Sequence, residues 1–518
     1  MPEYVFGANI LENITTGMYQ DSKVICREYI QNSCDQIDKA VKDGILKPGE
    51  GSIRIWLDRD QRTITIEDNA TGVPAASFQR ILGNIADSDK KIGEDKGFRG
   101  IGRLCGLAYC KELIFRSSAK GEDTISIMVC DAEKMRGLIE ENARGKKHTA
   151  NEVLHAINRF DQKKTDAIDS HFFRVEMIDI NQENTDLLDF QQVKDYLSFV
   201  APVPYPSSFY YRSDVHKHAT NLGAKIDEYN VTLDGEPIFK KYTTILKDTT
   251  GTKYDEIFEL NFKDFFNAEG ELFAWMWVGL SKFQKVIPKA NQMRGLRLRK
   301  ENIQIGGEDS LQKLFKEDRG NSYFIGEVFA VDKDLIPNSQ RDYFNENTAR
   351  AEFERALRKY FNEELHKIYY DGSAINSAYK KIDTYEKKEV EFKEKETAGA
   401  FVDHEHRERE WEVVLGSKKE AETAQVRIEK MKDKAGDLMQ KVIRRIEVKR
   451  PKPVIIPATP SVNTGPSEET YQPHRTDKLS QYSRNERKLI SKIFSIILTA
   501  TDSENAEQII SKIEEGLQ

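Results

Sequence analysis

The chain has 518 residues, 38% hydrophobic and 32% charged, with 79 Lys and Arg against 86 Asp and Glu for a net charge of −7. That apolar mass supports about three folded domains at roughly 150 residues each, and the acidic balance excludes a general polyanion binder. The longest apolar runs, 272–280 and 493–500, fall short of the ~20 residues of a membrane-spanning helix, so no membrane partner is expected.

In chain order, Met1-Pro2-Glu3-Tyr4 opens without the basic and apolar regions of a secretory signal. Residues 21–41 read as an amphipathic helix, with Val24, Ile25, Tyr29, Ile30, Ile37 and Val41 at helical spacing. Residues 53–57 and 63–67 alternate apolar and polar around a polar turn, which predicts a β-hairpin. Further strands are predicted at 113–117, 125–129 and 172–178. A helix followed by antiparallel strands argues for an α+β class with an α/β sandwich over residues 1–212, ending near the Pro-rich stretch 201–206. A second α/β domain is expected over 213–372, from strand signals at 257–262, 272–280, 296–305 and 323–331 and a closing helix at 348–369.

Beyond it, 373–449 is a charged helical region, read as long exposed helices or an irregular coiled coil. Six prolines make 450–477 an extended linker. Residues 478–518 form a helical tail with Leu489, Ile493, Ile496 and Ile509 among its apolar positions. The five cysteines (Cys26, Cys34, Cys105, Cys110 and Cys130) are odd in number and lack CxxC spacing. That fits reduced thiols in a soluble cytoplasmic protein better than a disulfide framework or a zinc site.

Three pieces in the first 105 residues carry chemistry. Glu28, Asn32 and Asp35 recur at i, i+4 and i+7, which at about 100° per residue puts two carboxylates and an amide on one helical stripe. Such a stripe serves as a base beside a divalent-ion ligand, or is simply a solvated polar face. Next, the strand ending at Asp68 runs into the small-residue turn Asn69-Ala70-Thr71-Gly72. The carboxylate there can accept from an exocyclic amine while the turn lets a flat ligand approach, although Asp-led turns are also common without a ligand. Last, Gly97, Gly100 and Gly102 form a GxxGxG run before an apolar stretch, offering backbone N–H groups to phosphates. It is neither the dinucleotide fingerprint nor a Walker loop.

In this order the pieces resemble the GHKL (Bergerat-fold) ATPases, most closely the heat-shock-protein-90-type chaperones, with MORC and MutL proteins as relatives. The run 27–39 is similar to that family's first motif, and 68–91 to its second motif and the start of its lid. The resemblance implies ATP and Mg²⁺ as ligands and a slow ATPase activity. It makes Glu28 the residue acting on the attacking water and Asn32 the Mg²⁺ ligand, with Asp35 supporting the pocket and Asp68 bonding the adenine amine. Gly72 would lie in the pocket turn, and Gly97, Gly100 and Gly102 would wrap the triphosphate under a lid at 83–96. Four features depart from the family: Ala70 in place of a turn glycine, Ile81 for a polar residue, a stretch between Lys91 and Gly97 shorter than the chaperones' lid, and Phe173 where a threonine usually helps hold adenine.

The likeness extends into a transducer-type (S5-like) second domain. Residues 332–342 resemble the loop that carries a γ-phosphate-sensing arginine, which would be Arg341, with a structural salt bridge as the plainer reading. Arg297, Arg299 and Lys300 read as a solvated strand face. The resemblance implies an ATP-dependent homodimer working as a chaperone-like remodeller. The alternative is a MORC- or MutL-like clamp on DNA in genome maintenance or anti-phage defence, using the basic stretch Lys432–Lys452 for weak binding.

Overall fold

A computed structural model describes residues 5–15, 17, 21–85, 96, 100–448, 479 and 481–517. They fall into two compact units, residues 1–281 with 286–363, and residues 282–285 with 364–518.

The first unit opens with α1 (Asn9–Thr15), α2 (Val24–Lys42) and the hairpin β1 (Ser52–Asp58) and β2 (Thr63–Asp68). Helix α3 (Ala75–Gly83) and a 3₁₀ turn (Gly102–Ala108) lead to β3 (Cys110–Ser118) and β4 (Thr124–Asp131). Then come α4 (Ala132–Ala143), α5 (Ala150–Ile157), β5 (Asn158–Lys164), β6 (Phe172–Ile180), α6 (Phe190–Val200) and α7 (Arg212–Asn221). Side chains start several of these helices: Asp131 and Asp189 cap α4 and α6, and Thr149 with Glu152 forms a capping box on α5.

An eight-stranded sheet runs β5-β4-β3-β6-β2-β1-β7-β8, where β7 is Asn230–Leu233 and β8 is Glu236–Pro237. Every neighbour pairs antiparallel except β1 with β7, which is parallel. On β1, Ile53 and Ile55 enter the core while Arg54 and Trp56 point outward, the alternation of a sheet covered on one face. The inward residues share one core with side chains from α1 to α6. The expected domain end at residue 212 therefore falls before the strands that complete the sheet: β7 supplies the hydrogen-bond partner for the outer edge of β1.

A two-stranded ribbon, β9 (Ile245–Lys247) and β10 (Lys253–Glu256), precedes a second sheet. Its order is β11-β12-β15-β13-β14, with β11 (Glu259–Phe266), β12 (Leu272–Leu280), β13 (Gly295–Lys300), β14 (Ile303–Ile305) and β15 (Ile325–Ala330). Strands β13 and β15 run parallel and are buried along their whole length, so both faces are covered. The architecture is the α+β class expected, with two large sheets and the two-stranded ribbon in the first unit.

The solvated face expected for Arg297, Arg299 and Lys300 is corrected here: all three are buried. Arg299 and Lys240 are fully buried around the Glu327 carboxylate of β15, with Lys240 Nζ at 3.1 Å and Arg299 in direct contact. Tyr205 and Tyr242 also donate to Glu327, and Arg297 lies 3.9 Å over the Phe199 ring. Lys300 Nζ donates to the Asp332 carbonyl at 2.6 Å. Central position in a covered sheet, with a carboxylate on the neighbouring strand, draws these cations inward.

Helix α8 (Thr348–Tyr360) passes through a π-helical stretch, Phe361–Leu365, into α9 (His366–Thr397), so the helix expected to end at 369 runs on and the boundary at 372 falls inside it. In the second unit α9 and α10 (His404–Asp433) form an antiparallel hairpin, tied by Lys395–Glu410 and Lys388–Ser417 and packed through Phe392 and Trp411. Helix α11 (Asp437–Glu447) rests on α9, and α12 (Arg484–Ala500) and α13 (Ser503–Leu517) enclose Phe494 and Ile510. Within the basic stretch, Lys432 pairs with Glu447 at 2.5 Å, while Lys449, Arg450, Lys452 and the linker 450–477 lie outside the described residues. No helix among the described residues is long and apolar enough to cross a membrane.

Candidate active site

Helix α2 is the spine of the site. Its apolar residues Ile25, Ile30, Cys34 and Ile37 fill the core, yet Glu28 and Asp35 are also buried, at 8% and 6% exposure. A solvated polar face does not look like this; carboxylates are buried where something holds them. Asn32 lies half-buried on the same helix.

Asp68, 1% exposed, ends β2 beside this helix. Its carboxylate accepts from Ser33 Oγ at 2.7 Å and from the Ala70 amide at 3.0 Å. Burial pushes its pKa up to about 6, against the pull of these two hydrogen bonds. The following turn packs tightly: Gly72 has φ +65°, and a β-carbon there would fall 2.0 Å from the Ser118 carbonyl. Ala70 needs no left-handed backbone, which is why an alanine is accepted where the resemblance expects glycine. Its carbonyl lies 2.6 Å from His171 Nδ1. Phe173 stands directly opposite Asp68 in the β2–β6 register, at the place where the resemblance expects a threonine.

Gly102 lies at the other end of the helical stripe, and Gly100 just before it has a left-handed backbone (φ +68°). A β-carbon on Gly102 would sit 2.6 Å from Glu28 Oε2, so the glycine loop passes directly over this carboxylate. Tyr29 clamps the loop exit: its hydroxyl donates to the Arg103 carbonyl at 2.9 Å and accepts from the Gly106 amide at 3.2 Å. Gly97 and most of the expected lid, 86–95, lie outside the described residues.

Arg341 comes from the second sheet's side of the unit and is buried against α2. Its Nε lies 3.6 Å from Glu28 Oε1, and its Nη2 donates to the Lys96 carbonyl at 2.7 Å. Arg27 faces the same carboxylate at 3.2 Å and donates to the neighbouring Gln340 carbonyl at 3.2 Å. The backbone of Arg341 is left-handed (φ +55°), and its carbonyl accepts from the Gly306 amide at 2.8 Å, fixing the loop on the β14 side. Glu28, Arg341, Gly102 and Asp35 thus meet along one stretch of α2, with Asp68 at the adjoining strand end. Sequence reasoning missed Ser33, Arg27, Gln31 and Lys96; the signal for the first three was their place beside the stripe residues in the same helix.

Residues 19–165 match the family described as "Histidine kinase-, DNA gyrase B-, and HSP90-like ATPase". The amino-terminal domain is a GHKL-type ATPase domain. The chain is also similar to proteins named Chaperone protein HtpG. It is 35% identical over 85 residues to that of Coxiella burnetii (strain RSA 331 / Henzerling II), covering 15% of this chain and 13% of the relative. For Psychrobacter cryohalolentis the identity is 38% over 95 residues, covering 17% and 14%. For Serratia proteamaculans it is 31% over 130 residues, covering 22% and 21%. The matched stretches span about a fifth or less of these relatives' length.

Proposed function

We propose that this chain binds ATP with Mg²⁺ in its GHKL domain, hydrolyses it slowly, and uses the cycle as a chaperone-like conformational machine. The observation that carries the reading is the convergence of Glu28, the Gly102 loop and Arg341 at one point of α2. In this reading the buried Asp68 carboxylate accepts from the adenine amine, and Ser33 and the Ala70 amide hold it in orientation. Gly72, Gly97, Gly100 and Gly102 give the backbone close approach to the nucleotide. Asp35 supports the pocket by anchoring the Lys96 amide.

The Asn32 side-chain oxygen is a neutral hard donor on the same helix, which suits Mg²⁺ shared with phosphate oxygens. Bound there, the ion would neutralise charge on the phosphates. Glu28 orients the attacking water and takes its proton, and Arg341 offsets the charge that develops on the γ-phosphate. Arg27 and Arg341 both face Glu28, so the carboxylate is held in place between two guanidinium groups. The five cysteines are buried thiols, which suits a reducing cytoplasmic compartment.

ATP-driven pairing of two amino-terminal domains completes the reading, as the resemblance to the heat-shock-protein-90-type chaperones implies. Phosphate release by the purified chain tests hydrolysis, and light scattering with a non-hydrolysable ATP analogue tests pairing. A chain that binds the analogue with unchanged mass at micromolar concentration would remove the dimeric machine.

A further inference from the structure

We propose that Lys96 is a positioning residue: its side chain fixes the main-chain carbonyl on which Arg341 docks, and so sets where the Arg341 guanidinium stands relative to Glu28. The inference rests on the reading of Glu28 and Arg341 as the groups that act on ATP.

Lys96 is held at each of its polar groups. The side chain is 8% exposed, with Nζ at 2.6 Å from Asp38 Oδ2 and 3.4 Å from Asp227 Oδ2. It lies 5.6 Å from the centre of the Tyr229 ring, whose hydroxyl donates to the same Asp38 oxygen at 2.7 Å. The amide donates to Asp35 Oδ1 at 2.8 Å. The carbonyl accepts from the Gln31 side-chain amide and from Arg341 Nη2. Burial works against the ammonium, but Tyr229, Asp227 and Asp38 outweigh it and hold its pKa above the ordinary lysine range. The cation therefore stays charged at any working pH.

The consequences for Arg341 are geometric. A carbonyl is an acceptor of fixed direction, and the guanidinium fork is planar, so placing the carbonyl at one end of the fork aims the other. With Nη2 on Lys96, Nε faces Glu28. The anchor is itself tied to the second sheet: the Asp227 carbonyl accepts from Asn302 Nδ2 at 2.6 Å, and Asn302 Oδ1 accepts from the buried Lys240 at 2.7 Å. Lys96 thus joins α2, the segment leading into β7 and the Arg341 loop at the entrance to the glycine run. Removing the ammonium leaves two carboxylates facing each other and releases the carbonyl from its seat. A shift of about 1 Å in such a support is enough to cost rate without costing affinity.

The test uses the full chain without nucleotide. Hydrogen–deuterium exchange is followed over 336–345 in the parent, Lys96→Met, Lys96→Arg and Asp227→Asn, with strand 272–280 as the fold control. Lys96→Met is expected to speed exchange over 336–345 roughly fivefold, the factor one lost hydrogen bond is worth, with 272–280 unchanged. Lys96→Arg keeps the cation and should restore protection. On the same proteins, kcat for ATP should fall about tenfold in Lys96→Met with KM and ADP affinity unchanged. Lys96→Met combined with Arg341→Ala should be no slower than Arg341→Ala alone, because both act on one interaction. Unchanged exchange over 336–345 in a folded Lys96→Met protein, or additive losses in the double variant, would overturn the proposal. Should Lys96→Met also loosen 272–280, Asp227→Asn decides: selective loosening of 336–345 supports the role, and none overturns it. A parent that binds but never turns over ATP would sink the ATPase reading alone, leaving the exchange result to decide Lys96.

Discussion

Gly102 and Glu28 are so close that a β-carbon on the glycine would lie 2.6 Å from Glu28 Oε2. The obstructing atom is the far end of a flexible side chain, so the backbone can stay where it is while Glu28 rotates away. Gly102→Ala is therefore expected to fold with a melting temperature near the parent's and to lose most turnover. Phosphate-release kinetics beside a thermal melt check this. A stable variant with parental turnover would mean that the position of Glu28 does not matter.

Arg341 presents its fork to Glu28 and the Lys96 carbonyl together. Arginines that meet a transferring phosphoryl group are worth about 10³ to 10⁵ in rate in well-coupled enzymes, and a loosely gated ATPase should show less. Arg341→Lys has the charge but not the planar fork, so both it and Arg341→Ala should slow hydrolysis substantially. ADP affinity, measured by calorimetry, should not change because ADP lacks the γ-phosphate. Parental turnover in Arg341→Ala would return this arginine to a structural ion pair.

Asp68 carries a cost in stability. Its pKa rises from the ordinary 3.8 to about 6 through burial, so the folded chain keeps a proton that the unfolded chain releases between these values. Stability must then fall as pH climbs through that window, by about 3 kcal/mol from this group, and level off above it. Asp68→Asn can keep both local hydrogen bonds, with its oxygen on the Ala70 amide and its amide on Ser33. It should raise the melting temperature near pH 7 and have little effect near pH 4. Melts across pH 4–8 would show the difference between the two proteins growing with pH; a difference that shrinks would contradict the buried carboxylate.

Glu327 sits between Lys240 and Arg299, all three fully buried. Burial opposes its charge, but the two cations win and hold the carboxyl down at about 2. A depressed carboxylate contributes stability that is present above the unfolded glutamate range and lost as pH falls towards 2. Glu327→Gln leaves two buried cations without their counter-charge and should cost about 3 to 5 kcal/mol. Urea denaturation at pH 7 measures it, and a loss under about 1 kcal/mol would show that the tyrosines and Asn302 alone satisfy the cations.

What the sequence disclosed follows from the range of the interactions involved. Helix α2, the β1–β2 hairpin and the strands β3, β4 and β6 are written in local periodicity and appear within a few residues of where they were expected. The parallel pairing of β7 with β1 is not local, and a four-residue strand carries little pattern, so the first sheet's edge was invisible. The burial of Arg299 depends on Glu327 from another strand, which no spacing in 295–300 announces. The run-on from α8 to α9 escaped because Gly372, just beyond 369, is an ordinary helix-end signal, whereas here it lies buried inside α9 against Phe283. At the site, the residue types were legible as a stripe and two turns. That Lys96 would join them was not, because its partners Asp35, Asp227 and Arg341 are distant in the chain.

The central claim, that Asp68 holds the base while Glu28 works on water, is tested most directly by calorimetric titration of ATP with Mg²⁺ into the parent, Glu28→Ala and Asp68→Asn, with turnover measured on the same samples. Glu28→Ala should bind like the parent and lose about 10²- to 10⁴-fold in turnover, the usual contribution of a general base. Asp68→Asn should give no binding heat although it is folded. Binding lost in Glu28→Ala and kept in Asp68→Asn would contradict the account.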